Sequence, residues 1–276
     1  MRTCPALEVS FNGGDADLLH AALLDYRVTA IDDAAERWRV FFTSGADRDR
    51  AANELPRQFP ELSFQPVDVP DEDWAARSQA GLRAVRVGDI IVAPPWDVDD
   101  PAGPLRGTRP TIVVIQPSMG FGTGHHASTR LCLGALQQID VRGLSVLDVG
   151  TGSGVLAIAA SRLGASSVLA IDDDPDAIQS AGENLVLNPG VDVTLRTVDL
   201  RSATLGSHDV VTANLTGGLL IQAAGRLRDL AAASGRLILS GFLKDEEAGV
   251  RDAYSDFTIQ SRSAEDEWLC VTLQRT

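Results

Sequence analysis

From Leu144 onward, short apolar runs alternate with helical segments along the rest of the chain. Continuous apolar strands separated by helices indicate a parallel sheet that is covered by helices on both faces. The strands predicted in this way are SVLDV, SVLAIDDD, VTLRTVD, DVVTANL and RLILSGFL, and the final pair FTIQSRS and AEDEWLCVTLQR indicates an antiparallel edge. The fold class is therefore α/β, with a doubly wound sheet.

The first 70 residues follow a different pattern, in which four short strands and two helices occur in the order βαββαβ. This order is typical of a small ferredoxin-like α+β domain. We therefore predict an N-terminal domain over residues 1–70, a connecting helix over 71–84 and the α/β domain over 85–276. The α/β domain opens with two apolar strands, IIVAPPW and TIVVIQP.

The charge of the chain limits its partners. With 24 basic and 38 acidic residues, the net charge is −14. A surface of this charge repels phosphate backbones and attracts a basic partner, so direct nucleic-acid binding is not expected. The three cysteines lie far apart without CxxC spacing, which favours a reducing compartment over a disulfide framework or a zinc site. Without a signal peptide or a membrane-spanning stretch, the sequence predicts a soluble cytoplasmic protein with no membrane contact.

The segment VLDVGTGSG, residues 146–154, is the sharpest motif. A strand ends at Asp148, and Gly150 and Gly152 then allow a ligand to approach the backbone closely, with a helix N-terminus behind. We predict that these three residues contribute to a ligand site. Dinucleotide-binding folds use a similar loop, and the fingerprint counted from Gly152 reaches the tolerated Ala157, so the spacing leaves NAD open.

Polar residues end the strands that follow. Asp172 lies about 20 positions after the loop, where a carboxylate accepts both ribose hydroxyls of an adenosine. Asp173 and Asp174 are expected to cap the next helix. Asp199 either reaches an adenine amino group or is a solvated turn residue. Asn214 offers a carbonyl and an NH₂ group suited to holding an amine, with helix capping as its alternative role.

A second ligand-facing loop is predicted at FGTGHHASTR, residues 121–130, which leads into the helix TRLCLGALQQ. His125 and His126 are adjacent, so they cannot both face one metal as an i, i+4 pair does. No metal is therefore predicted. Trp268 either walls the pocket or packs into the core.

With these residues in hand, the chain resembles the class I S-adenosylmethionine-dependent methyltransferases. More narrowly, it resembles the bacterial ribosomal-protein lysine methyltransferases of the PrmA type, which modify protein L-eleven of the large subunit. The segments that carry this resemblance occur in the order of the family: DEDWAARSQ, IIVAPPW, GFGTGHHASTRLCL, VLDVGTGSGVLAIAA, AIDDDPDAI, TANLTGGLL, LSGFL and DEWLCV. They cover the chain from about Asp71 to its end, whereas the first 70 residues match by topology only.

The resemblance implies a seven-stranded class I methyltransferase sheet and a set of site residues. The donor S-adenosylmethionine would be held by Thr129, Gly150, Asp172 and Asn214, and Asn214 with its neighbouring backbone carbonyl would position the amine. The family often has Thr-Thr where this chain has Ser128-Thr129, which keeps the hydroxyl.

The function implied is methyl transfer to lysine or N-terminal amines of a basic large-subunit ribosomal protein, by a monomer whose N-terminal domain recognises the substrate. Three different functions remain open beside it. They are a class I methyltransferase acting on another protein or a small amine, an NAD-dependent oxidoreductase, and a catalytically silent binding module.

Overall fold

The computed structural model describes residues 3–11, 19, 22–23, 26, 28–34, 37–70, 82–98, 110–117, 124–202 and 204–275. The chain divides into two compact units, Met1–Gly81 and Leu82–Thr276. The domain boundaries at residues 70 and 85 stay predictions. Most of the predicted connecting helix over 71–84 lies outside the described residues, and the described part, 82–84, is not helical.

The first unit contains a four-stranded antiparallel sheet and a helix. The elements are β1 (Thr3–Phe11), β2 (Val28–Ala34), β3 (Arg37–Phe42), α1 (Gly45–Gln58) and β4 (Leu62–Pro70). The strands lie in the spatial order β2–β3–β1–β4, which is the order of a ferredoxin-like sheet. The first helix of the βαββαβ order is predicted at DADLLHAALLDY, from Asp15, which has helical spacing behind an Asp cap. This segment lies mostly outside the described residues, although Leu19 and Leu23 are buried in the core of this unit.

The second unit contains ten described strands and six described α-helices. The strands are β5 (Val85–Val87), β6 (Ile90–Ala93), β7 (Thr111–Val114), β8 (Ser145–Val149), β9 (Ser167–Asp172), β10 (Thr194–Thr197), β11 (His208–Asn214), β12 (Ala231–Leu243), β13 (Phe257–Glu265) and β14 (Trp268–Arg275). The helices are α2 (Ala127–Gln138), α3 (Val155–Arg162), α4 (Pro175–Val186), α5 (Gly217–Gln222), α6 (Ala224–Leu230) and α7 (Glu247–Ala253).

Seven of these strands form one sheet in the order β10–β9–β8–β11–β12–β14–β13. The five strands from β10 to β12 are parallel, and β14 is antiparallel to both of its neighbours. The predicted doubly wound, seven-stranded sheet with an antiparallel edge is therefore confirmed. The strand order reverses between β8 and β11, and ligands of such sheets bind outside the carboxyl ends of the strands at this switch point.

Both faces of the large sheet are buried along its central strands β8, β11 and β12, which explains why these strands read as continuous apolar runs. On β8, Val146 packs into the core on one face with Leu136 of α2 and Ile158 of α3. The next residue, Leu147, packs into the core on the other face with Leu227 of α6.

One helix prediction is wrong. The segment GGLLIQAAGRLRDLAA, residues 217–232, has the apolar spacing of a helix and predicts a single one, but the structure has α5 and α6, separated at Ala223. Ala223 has φ −88° and ψ 1°, outside the helical region, and the glycine at position 225 adds little helical preference. The helical part ends at Leu230, because Ala231 already pairs with His208 of β11.

Strands β5, β6 and β7 form a separate small sheet, in which β6 and β7 are parallel. Two buried asparagines attach it to the end of α4. Asn188 accepts a hydrogen bond from the Val114 N–H at 2.9 Å, and Asn184 accepts one from the Gln116 N–H at 2.8 Å. In the part of the chain that the structure describes, no helix is both long and apolar enough to cross a membrane.

Candidate active site

The glycine loop joins β8 to α3 at the switch point. Gly150, Gly152 and Gly154 have φ values of 68°, 54° and 81°, a region that residues with a side chain rarely adopt. The N–H groups of Gly150 and Thr151 donate to the Ile171 carbonyl at 2.9 and 3.0 Å, so the loop is anchored to the end of β9. Because α3 begins directly behind the loop, its N-terminal dipole favours electronegative ligand groups there.

Asp148 lies beneath this loop and is only 1% exposed. Its two carboxylate oxygens accept hydrogen bonds from the hydroxyls of Thr151 and Thr212, both at 2.6 Å. Burial raises the pKa of this carboxyl above its ordinary value. The side chain therefore supports the loop from below, and the predicted contribution of Asp148 to the ligand site stays a prediction.

Replacing Asp148 is expected to destabilise the second unit. Asp148→Ala would leave two buried hydroxyls without their acceptor, which costs about 2–3 kcal/mol of unfolding free energy. Urea denaturation measures the loss, and Asp140→Ala is the control, because Asp140 is exposed and pairs with the exposed Arg142. An equal loss in both variants would contradict the supporting role of Asp148.

The raised pKa of Asp148 also gives a pH dependence with a definite sign. Between the ordinary value of 3.8 and the raised folded value, the folded state binds more protons than the unfolded state. The free energy of unfolding contributed by this group therefore falls as pH rises through that window. Asp148→Asn removes the titration, so the wild type should lose stability relative to this variant as pH rises above about 3.8.

Asp172 ends β9 beside the glycine loop and is half-buried. One carboxylate oxygen accepts from the Gly152 N–H at 3.0 Å and the other from the Asp174 N–H at 3.1 Å. Each oxygen keeps a further lone pair for a ligand hydroxyl. Asp174 caps α4 by accepting from the Asp176 N–H at 2.9 Å, as predicted, whereas the exposed Asp173 is not the cap.

Asp199 follows β10 and pairs with Arg201. The Arg201 side chain donates to both carboxylate oxygens, and these hydrogen bonds are the main reason why the pKa of Asp199 is lowered. Of the two roles considered for Asp199, the structure therefore favours the solvated turn residue over the adenine contact.

Asn214 is the last residue of β11. Because β11 runs parallel to β8, Asn214 lies at the same carboxyl end of the sheet as the glycine loop. Its Nδ2 lies 3.4 Å from Oγ1 of Thr129, a buried residue in the first turn of α2. The N-cap of α5 is Thr216, so Asn214 does not cap that helix. The structure thus brings together two of the predicted donor-binding residues from distant parts of the chain and leaves the Asn214 amide oxygen available to a ligand.

The second predicted loop enters the structure at Gly124, since residues 118–123 lie outside the described ranges. His126 is the N-cap of α2, and its Nδ1 lies 2.8 Å from the Ser128 hydroxyl. The Trp268 ring packs edge-on against His126 with centroids 4.5 Å apart, so this tryptophan packs at the rim of the core. No cluster of three potential metal ligands occurs in the described ranges.

Sequence reasoning missed two polar residues that hold the site. Thr212 is one, because it lies opposite Asp148 in the β8–β11 register and supplies a hydroxyl to it. Asn184 is the other, because its Nδ2 donates to the Ser153 carbonyl of the glycine loop at 2.9 Å. Both are buried polar residues. Thr212 interrupts the apolar run of β11, which is a sequence signal, whereas Asn184 lies in the helix PDAIQSAGENLV, whose many polar residues give no such signal.

The seven-stranded sheet, its glycine loop and the strand-tip residues Asp172 and Asn214 define a class I methyltransferase domain. The model of one protein family, ribosomal protein L11 methyltransferase (PrmA), matches residues 16–276. The chain belongs to this family. The match extends through the N-terminal unit, where the resemblance in sequence rested on topology alone.

Similar proteins and structures agree with this assignment. The ribosomal protein L11 methyltransferase of Geobacter metallireducens is 40% identical over 282 residues, which cover 97% of this chain and 91% of the relative. That of Myxococcus xanthus is 36% identical over 240 residues, or 85% of this chain and 80% of the relative. A crystal structure of the ribosomal protein L11 methylase from Lactobacillus delbrueckii subsp. bulgaricus is 28% identical with a TM-score of 0.64, covering 71% of this chain and all of that one. These matches favour the methyltransferase over the NAD-dependent oxidoreductase.

Proposed function

We propose that this chain transfers methyl groups from S-adenosylmethionine to amines of ribosomal protein L11, on lysine side chains or at the N-terminus. The observation that carries the proposal is the position of Asn214, at the end of β11 and beside the glycine loop of β8. An amide at this position is next to both the glycine loop and the carboxyl end of the sheet, where ligands of such sheets bind. The substrate is supported by the similar proteins of Myxococcus xanthus and Geobacter metallireducens, which are both ribosomal protein L11 methyltransferases.

The residues present fit the donor. The backbone of Gly150 and Gly152 gives close approach, and Asp172 offers free lone pairs to the ribose hydroxyls. The hydroxyl of Thr129 and the amide of Asn214 complete the proposed donor contacts. The sulfonium of the donor supplies an electrophilic methyl group, so the protein has mainly to align the acceptor nitrogen with it.

The acceptor amine must lose a proton before it reacts. With an ordinary lysine pKa near 10.4, neutralising the ammonium at pH 7 costs about 4.6 kcal/mol. Desolvation and the nearby sulfonium both lower this pKa. In the proposed geometry, the amide oxygen of Asn214 and the backbone carbonyl of Leu215 accept hydrogen bonds from the amine N–H groups and orient its lone pair.

The charge of the chain supports a basic protein substrate, because a net charge of −14 attracts cationic partners over long range. We assign recognition of the substrate to the N-terminal domain, residues 1–70, which carries no part of the proposed donor site. The proposal includes a monomer that acts without nucleic acid in the cytoplasm, where ribosomal proteins are made.

This attraction predicts a salt dependence. Surface charges are screened beyond about 10 Å at 0.1 M salt. We therefore expect kcat/KM for L11 to fall steadily between about 0.05 and 0.3 M salt, while kcat at saturating L11 changes little. Steady-state kinetics measure both, and the control substrate is a short amine-bearing peptide whose net charge is zero. Equal salt effects on the two substrates would contradict electrostatic recognition.

Mass spectrometry tests the function directly. Purified L11 is incubated with the enzyme and the donor, and methylated sites are mapped by peptide fragmentation. Methyl groups on lysine or on the N-terminal amine support the proposal, and no mass gain on L11 contradicts the substrate.

Calorimetry with S-adenosylhomocysteine and with NAD distinguishes a methyltransferase from an oxidoreductase by the ligand that binds. If a different protein or a small amine is methylated and L11 is not, the chain is a methyltransferase with another acceptor. Donor binding without any turnover would indicate a catalytically silent module.

A further inference from the structure

Leu215 follows Asn214 and lies between two glycines, Gly150 of the glycine loop and Gly241 of β12. On one side, its side chain lies over the glycine loop, where a methyl group added at Gly150 would be 2.6 Å from Leu215 Cδ2. On the other side, its backbone faces Gly241 of β12, because the Leu215 N–H donates to the Ser240 carbonyl at 2.9 Å. The residue that presents the proposed amine-binding carbonyl is therefore held by contacts on both sides.

Gly241 occupies an irregularity of β12. The pairing of β12 with β14 shifts register between Ser240 and Phe242, and Gly241 has φ +88°. A β-carbon at Gly241 would lie 2.6 Å from the carbonyl oxygen of Leu215 and 2.9 Å from the amide Oδ1 of Asn214. Both distances are shorter than nonbonded atoms tolerate, so any side chain here must displace one or both oxygens.

These two oxygens are the acceptors that the proposed function assigns to the amine. The Leu215 carbonyl accepts no hydrogen bond from any residue that the structure describes, although it lies beside a paired strand. An unpaired carbonyl next to a side-chain amide oxygen forms a pair of acceptors suited to an N–H-bearing nitrogen.

We propose that Gly241 is a positioning residue for the acceptor amine, because its missing side chain leaves the Asn214 and Leu215 oxygens in place to bind the substrate N–H groups. The inference rests on the proposed function and deepens it. It assigns part of amine recognition to a residue of β12, a strand that carries none of the proposed donor-binding residues. It also separates the acceptor geometry from most of the donor contacts, since Gly241 contacts the Leu215 backbone and the Asn214 amide oxygen and not the glycine loop.

The test compares Gly241→Ala with Gly190→Ala in the full chain. Gly190 also has a positive φ, +84°, but an added methyl group there meets no described atom within 4 Å, so this control reproduces the backbone strain without the contact. We expect Gly241→Ala to lower kcat for L11 at least about tenfold, since small displacements of a reacting group have effects of this size. Its affinity for S-adenosylhomocysteine in calorimetry should fall by less than that of Asn214→Ala, because the Asn214 amide and the glycine loop are both kept, and Gly190→Ala should keep the wild-type kcat.

A second pair of variants covers the case in which Gly241→Ala does not fold. Asparagine tolerates positive φ better than alanine and carries the same β-carbon, so Gly241→Asn and Gly190→Asn repeat the comparison with less strain. In the Asn214→Ala background, Gly241→Ala should cost less kcat than in the wild type, because one displaced oxygen is already absent.

The outcomes separate the two proposals. An equal kcat for the Gly241 and Gly190 variants, or a parallel loss of donor affinity in the Gly241 variant, would overturn the positioning role. Absence of methyl transfer to L11 by the wild type would instead overturn the proposed function on which it rests.

Discussion

Asp172→Ala is expected to weaken binding of S-adenosylhomocysteine by at least about 100-fold while the protein stays folded. The carboxylate would accept two ribose hydroxyls, and hydrogen bonds to a charged group contribute about 1.5–3 kcal/mol each. The same side chain accepts the Gly152 N–H, so its removal also loosens the loop on which the donor rests. Isothermal titration calorimetry gives the affinity, and circular dichroism checks the fold.

The control for this prediction is the neighbouring carboxylate. Asp173 is exposed and does not cap α4, so Asp173→Ala removes the same charge without touching the loop. Its donor affinity should match the wild type. If both variants bind the donor as tightly as the wild type, the ribose does not contact Asp172. If both lose the same affinity, the loss comes from the missing negative charge and not from a specific contact of Asp172.

Asn214→Ala is expected to lower kcat for L11 about 100-fold, because a misplaced nucleophile loses the alignment on which methyl transfer depends. Donor affinity should weaken by no more than about tenfold, since a neutral hydrogen bond contributes about 0.5–1.5 kcal/mol. Single-turnover kinetics at saturating donor and substrate measure the chemical step separately from binding.

Thr216→Ala is the matched control for Asn214. Thr216 is two residues further along the chain, is exposed, and makes no side-chain capping bond to α5. We expect this variant to keep the wild-type kcat. A parallel loss of kcat and donor affinity in Asn214→Ala would make Asn214 a donor ligand only and move amine positioning to another residue.

The sheet could be predicted from the sequence because burial on both faces leaves a continuous apolar signature in its central strands. Val146 and Leu147 pack on opposite faces of β8, so the run has no polar alternate positions. The break between α5 and α6 could not be predicted in the same way. It depends on the backbone of Ala223, a residue with high helical preference, and on the pairing of Ala231 with His208.

The sequence shows which candidate site residues lie at the ends of strands. It does not show which of their side chains are buried. Asp148 and Asp172 each lie at or next to the end of a strand before a loop, so strand position alone does not show which carboxylate is buried. The strand register determines the burial of each carboxylate. Asp148 lies opposite Thr212 and is buried, whereas Asp172 lies beyond the end of β8 and is partly exposed. Gly241 was likewise not identified, since its role arises from contact with residues that precede it by more than 20 positions.

The asparagine attachment of the small sheet has a consequence for hydrogen exchange. The Gln116 amide lies beyond the end of β7 and bonds to Asn184, whose own NH₂ group holds the Ser153 carbonyl. Deuterium uptake at this one amide therefore follows the opening of the Asn184 contact, and not the unfolding of a strand ladder. Because the same side chain anchors the glycine loop, a ligand that steadies the loop slows exchange at Gln116, a residue remote from it in sequence. Slower exchange at Gln116 on addition of S-adenosylhomocysteine is therefore the expected sign of a ligand at the glycine loop.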